Sequence, residues 1–232
     1  MIEYKNLILI GTSHISSESV ALVKKIIQEK RPGFVGVELD KGRFQGLLHP
    51  ETKQKKRMSL KELKKLGPSG FLFVLFGVWI EEKLGKMVET KPGAEMKIAI
   101  HEAAKIQAKV LLLDQEISIT IRRLFKTLTY KEKFRFAFDI FKGLFGFGEK
   151  IAFDLRKVPK EELINKLVEQ VKDRYPSVYK VLIEERNVFM AKRIQHAMNK
   201  YPDTLIVAIV GAGHKKGIYD ILTNVSSSSL PY

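Results

Sequence analysis

The sequence predicts an α/β fold, a largely parallel central sheet flanked by helices, and three observations predict it. Short β-branched apolar runs recur along the chain, each run stands next to a helical pattern, and the runs are apolar at nearly every position. A strand that is apolar on both faces is buried on both faces, as in a parallel sheet covered by helices.

The first run is Leu-Ile-Leu-Ile at residues 7–10, ended by Gly11. A helix follows, with Ser16 or Ser17 as N-cap and Val20, Val23, Ile26 and Ile27 on one face. Residues 34–39, after Pro32 and Gly33, read as the second strand and complete a β-α-β unit of about 30 residues. Pro92 and Gly93 open a helix through Ala108, which feeds a third strand at residues 110–114. A helix from about Val178 to Asn199 feeds the fourth strand, residues 205–211.

Two stretches break this alternation. One is basic, with Lys53, Lys55, Lys56, Arg57, Lys61, Lys64 and Lys65 ahead of an apolar segment at residues 71–80 that is too short to span a bilayer. The other, residues 121–153, interleaves Arg and Lys with Phe125, Phe134, Phe136, Phe138, Phe141, Phe145, Phe147 and Phe153, and is read as core or as a cover. The expected organisation is one domain over residues 1–225. It carries helical insertions at about 50–92 and 118–177 that cover the carboxyl ends of the strands, and residues 226–232 form a flexible tail.

Composition bounds the function. An apolar fraction of 45% with 29% charged residues is that of a globular chain. No cysteine is present, which excludes disulfides, thiolate metal sites and a cysteine nucleophile. The net charge of +15 makes the surface attractive to anions, whether an acidic substrate, an anionic membrane surface or nucleic acid. No nucleic-acid module is recognisable, so specific nucleic-acid binding is not expected. The start has no signal-peptide pattern and no run approaches about 18 apolar residues. The expectation is therefore a cytoplasmic polypeptide, membrane-associated if a C-terminal hydrophobic region follows it.

In an open parallel sheet, ligands bind where the loops converge at the carboxyl ends of the strands. His14 follows the first strand, Glu38 closes the second, Asp114 closes the third and His214 follows the last. Two histidines and two carboxylates at one sheet edge suit a divalent cation where no thiolate is available. Gly11, Gly211 and Gly213 are read as sharp turns near a bound ion or oxyanion. Glu185 and Arg186 lie on or beside the apolar face of their helix, so they form a mutual salt bridge or belong to the site. Glu95 stands in a first helical turn, where the dipole favours a carboxylate. The remaining histidines, His49, His101 and His196, have no patterned partners and are read as surface or structural.

As a set these residues resemble the TraB/PrgY family, with the Tiki proteases and, more distantly, the erythromycin esterase group as relatives. The resemblance rests on Gly11-Thr-Ser-His14, Glu38-Leu-Asp40 with Arg43, Pro92-Gly93-Ala-Glu95-Met96, Leu113-Asp114 with Arg122-Arg123, Glu185-Arg186-Asn187 and Gly211-Ala-Gly-His214 with Gly217-Ile218. Asp114 is followed here by Gln115, where the family usually has arginine. The resemblance implies a divalent-metal-dependent hydrolase, peptidase-like in the Tiki branch and linked to shutdown of a peptide pheromone signal in the TraB branch. On this reading His14, Glu38 and His214 hold Mn, Co or Zn, with Glu95 or Glu185 completing the shell. Arg186 stabilises an oxyanion and a carboxylate outside the metal shell, Glu95 or Glu185, acts as general base. The partner would be a peptide or protein substrate, and a homo-oligomer is compatible with the sequence. The alternative is a non-catalytic regulator that binds or sequesters a peptide through its basic surface.

Overall fold

Every strand residue from Leu7 to Ile10, from Phe34 to Val37 and from Ile206 to Gly211 is buried, so these segments can only sit at the centre of a sheet covered on both sides. The computed structural model describes residues 1–12, 17–49, 93–144 and 160–224. Its sheet has the order β1-β2-β5-β3-β4, built from β1 (Ile2–Tyr4), β2 (Leu7–Thr12), β3 (Phe34–Val37), β4 (Lys109–Leu112) and β5 (Ile206–Gly211). Ladders β2–β5, β5–β3 and β3–β4 are parallel; only β1 runs antiparallel to its neighbour. The last described strand is thus the central one, and four parallel strands deliver their carboxyl ends side by side.

Alternation along these strands splits the core into two layers. Leu7, Leu9, Phe34, Ile206, Ala208 and Val210 face α8 (Glu185–Lys200) and α9 (Ala212–Asn224), meeting Met190, Ile194, Ile218 and Leu222. Ile8, Ile10, Val35, Val37, Val207 and Ile209 face the other way, toward Val23, Ile26 and Ile27 of α1 (Ser17–Lys30) and Met96, Ala99 and Ala103 of α3 (Ala94–Lys105). Between them, α2 (Lys41–Leu48) is started by Asp40, whose side chain accepts from the backbone N–H of Arg43.

The remaining helices among the described residues are α4 (Ile117–Thr127), α5 (Tyr130–Leu144), α6 (Lys160–Arg174) and α7 (Pro176–Tyr179), followed by a wide π-type turn, Lys180–Glu184, that runs straight into α8. The described part of the second insertion is helical, and α4 leaves the sheet just beyond the carboxyl end of β4. One expectation changes. Phe134 and Phe138 are not core: they are 78% and 50% exposed. The first insertion, with the lysine-rich run and residues 71–80, lies outside the described residues, as do Ser16, Pro92, Phe145, Phe147, Phe153 and the tail. Among the described residues no helix is long and apolar enough to cross a membrane.

The sequence reading missed β1, α2 and α9. It also expected Gly11 and Gly211 to turn sharply, yet both lie within paired strands, and among the described glycines only Gly93 has a positive φ. His49, His101 and His196 are exposed, as expected of surface histidines.

A polar contact joins α1 to α3. Gln28 donates to Glu102 Oε2 at 2.7 Å and Lys105 to Oε1 at 2.8 Å, and the Lys105 ammonium holds the Glu102 carboxyl down to about 2. A carboxylate depressed in the folded state stabilises fully above its ordinary pKa near 4.5 and loses that contribution as pH falls toward its folded value. Glu102→Gln is expected to melt below the parent chain at pH 7, the gap narrowing between pH 4.5 and about 2, followed by thermal melts across that range.

Candidate functional site

The parallel strands β3, β4 and β5 are each followed closely by a polar residue, and the ladders carry these three to the same place. The β3–β5 ladder continues one step past Val37, where Glu38 N–H donates to Ile209 O at 3.1 Å, fixing Glu38 against the end of β5. Gly211 N–H then donates back to Glu38 Oε2 at 2.6 Å. Asp114 is held similarly beyond β4, its N–H donating to Leu39 O at 3.3 Å. His214 arrives in the first turn of α9, immediately after β5. Glu38, Asp114 and His214 are all buried.

Arg186, the second residue of α8, reaches into the middle of this group. Its Nη2 donates to Glu38 Oε1 and, at 2.7 Å, to Asp114 Oδ2; its Nε donates to Asp114 Oδ1 at 3.2 Å. Its Nη1 donates to Leu182 O at 3.3 Å and approaches His214 Nε2 at 3.1 Å. Burial works against the Arg186 charge, but the Glu38 and Asp114 carboxylates outweigh it and leave its pKa raised.

That contact assigns the imidazole tautomer. A guanidinium can only donate, so the Nε2 it faces is the unprotonated nitrogen, and the ring proton is on Nδ1. His214 Nδ1–H accordingly donates to Asn187 Oδ1 at 2.7 Å. Asn187 has room because residue 217 is glycine: a Cβ there would lie 2.2 Å from Asn187 Nδ2.

A second arginine completes the network. Arg43 Nη2 donates to Asp114 Oδ2 at 2.5 Å and its Nε to Asp40 Oδ2 at 2.6 Å. Burial again opposes the Arg43 charge and Asp114 with Asp40 prevails, keeping its pKa raised. Burial would push the Asp40 carboxyl up, but the Arg43 backbone and guanidinium bring it below the usual carboxylate value. Asp40, Glu38 and Asp114 set against Arg43 and Arg186 make three negative charges to two positive, an excess of one negative charge among these groups.

The residues singled out in the sequence therefore fare differently. Glu38, Asp114, Arg186 and His214 come together. Glu185 does not pair with Arg186; it points to α4, where Arg123 grips it with Nε at 3.1 Å and Nη2 at 2.5 Å. Glu95 is 1% exposed in the first turn of α3. His14 lies outside the described residues. Roles for Asp40, Arg43 and Asn187 were missed. The signal for the first two was a cap residue three positions before an arginine, and for Asn187 its place beside Arg186.

Two donors here have the geometry of a metal pair. Glu38 Oε1 and His214 Nε2 stand 3.5 Å apart, and two ligands at about 2.1 Å from one tetrahedral ion are separated by about 3.4 Å. The Asn187 hydrogen bond leaves Nε2 free of a proton, as a metal ligand requires. Among the described residues no group of three or more His, Asp or Glu could by itself hold an ion. The pair fits two positions of a shell, and Arg186 shares both of its donor atoms.

The model of the TraB/PrgY/gumN family matches residues 2–228. An uncharacterized protein of Methanocaldococcus jannaschii is 34% identical over 229 residues, 95% of this chain and 54% of its own length. TraB domain-containing proteins of Homo sapiens and Mus musculus are each 26% identical over 236 residues, 90% of this chain and 61% of theirs. The chain thus spans little more than half the length of these relatives.

Removing the central cation leaves two carboxylates buried without it. Arg186→Ala is expected to lower stability by about 3–5 kcal/mol in urea unfolding. Gly217→Ala must push Asn187 aside; a loss of about 1–3 kcal/mol is expected, together with a changed His214 tautomer signal in nitrogen-15 NMR.

Proposed function

The chain belongs to the TraB/PrgY/gumN family, and we propose that it is a divalent-metal-dependent hydrolase, peptidase-like in its substrate class. The observation that carries this reading is the Glu38 Oε1–His214 Nε2 pair, fixed from behind by Gly211 N–H and Asn187 Oδ1. Such preorganised acceptors, one carboxylate oxygen and one imidazole nitrogen, suit a small cation.

In this proposal Glu38, His214 and His14 hold Mn, Co or Zn, and the ion, when bound, supplies a water of lowered pKa and polarises the substrate carbonyl. His214 contributes a lone pair whose direction Asn187 fixes. Asp114 holds Arg186 through Nε and Nη2, and the N–H groups that Glu38 Oε1 and His214 Nε2 would give up to the ion could then donate to a developing oxyanion. Glu95, buried in the first turn of α3, is assigned the proton-accepting role, and Glu185 is bound through both oxygens to Arg123.

A second reading, a non-catalytic regulator that binds or sequesters a peptide, is favoured by the closure of the network. Among the described residues no buried side-chain polar atom lacks a hydrogen-bond partner. Metal analysis of chelator-free protein separates the two, followed by Mn, Co and Zn titration of the native chain and of His14→Ala, Glu38→Gln and His214→Ala. The hydrolase reading expects near-stoichiometric metal in the native chain, strongly weakened in all three variants, and peptide cleavage reduced at least about a hundredfold in them. A native chain that binds no metal and cleaves no peptide establishes the regulator reading.

A further inference from the structure

Helix α5 packs with the opposite face from the one its apolar pattern would select. Beside an edge-on contact of Phe136 with Tyr175, its inward contacts are made by carboxylates: Glu132, 4% exposed, accepts from Ser177 N–H at 2.7 Å and from Thr129 Oγ1 at 2.8 Å. Asp139 accepts from Arg174 Nη2 at 2.5 Å and from the Tyr175 hydroxyl. Outward, at four-residue spacing, stand Tyr130, 89% exposed, Phe134, 78% exposed, and Phe138. Residues four apart share one helix face, so the rings form a stripe about 12 Å long. They line an open cavity of about 580 Å³ together with Lys131 and Arg135.

We propose that this face of α5 docks on an anionic lipid bilayer. Both carboxylates of α5 are turned inward and satisfied there, so the outer side carries rings bordered by cations: Lys131 is exposed and Lys133 Nζ stands 5.3 Å from the centre of the Tyr130 ring. The preceding helix α4 adds exposed Arg122 and Lys126. A second copy of the chain would bring the same positive border, on a molecule already at +15, so charge opposes self-association through this face. A bilayer with acidic headgroups satisfies both halves, the rings entering the headgroup boundary and the ammonium groups meeting phosphates. This surface is independent of the Glu38–Arg186–His214 cluster.

The test is co-sedimentation of the full chain with phosphatidylcholine vesicles, with and without a minority of phosphatidylglycerol. Binding is expected only to the anionic vesicles and to weaken with salt. Tyr130→Ser/Phe134→Ser keeps every charge and alters two exposed positions; it is expected to melt with the parent chain and bind about tenfold more weakly. Phe134→Trp, read as the difference from the parent chain, is expected to show blue-shifted emission on anionic vesicles and quenching by brominated acyl chains. Undiminished binding by the serine variant would overturn the proposal by showing that net charge suffices. It is equally overturned by native protein that ignores anionic vesicles at low salt, by emission of the Phe134→Trp variant that vesicles leave unchanged, or by soluble polyglutamate producing the same blue shift as vesicles.

Discussion

The Arg186 guanidinium is the part on which the rest of the site depends. An arginine this enclosed is tolerable only if acceptors surround it, and its acceptors come from three separate strand ends: Glu38 beyond β3, Asp114 beyond β4 and His214 beyond β5. Those residues meet only in the observed register. A one-residue slip of β3 against β5 would turn Glu38 to the opposite face and leave the cation short of an acceptor. The ladders position the charges, and the charges in turn penalise every other register.

Much of this was legible because the site residues interrupt apolar runs. Glu38 and Asp114 each close a strand, and His214 follows one, so a polar residue at the boundary of a buried segment marked them without knowledge of the sheet order. The pairing of Glu185 and Arg186 was not legible. Neighbouring residues on a helix point about 100° apart, and which of them turns toward the strand ends is decided by partners far away in sequence, Arg123 for Glu185 and Glu38 with Asp114 for Arg186. Asn187 makes sense only once Gly217 is seen to leave space for it. Arg43 on Asp114 shows that an arginine from α2 can serve that carboxylate in a chain with Gln115 as the next residue.

The fold shows the same division. Strands buried on both faces leave a continuous apolar signature, whereas β1, three residues reading Ile-Glu-Tyr, leaves almost none. In α5 the phenylalanines suggested the inward side, yet Glu132 and Asp139 found partners on α6, α7 and their junction strong enough to set the orientation. Periodicity identifies two faces of a helix; it does not say which one the remainder of the chain can satisfy.

The small antiparallel strand has a bearing on solubility. A parallel sheet of Leu, Ile and Val offers any other unfolded chain an attractive template along its borders. Here one border is β1, only three residues long and opposed in direction to β2. The other is β4, four residues long, beginning at exposed Lys109, with the Leu112 carbonyl already taken by the Arg193 guanidinium. Short strands at both margins of the described sheet give a recruited strand little length to pair with, so its buried apolar centre is poorly placed to seed polymerisation.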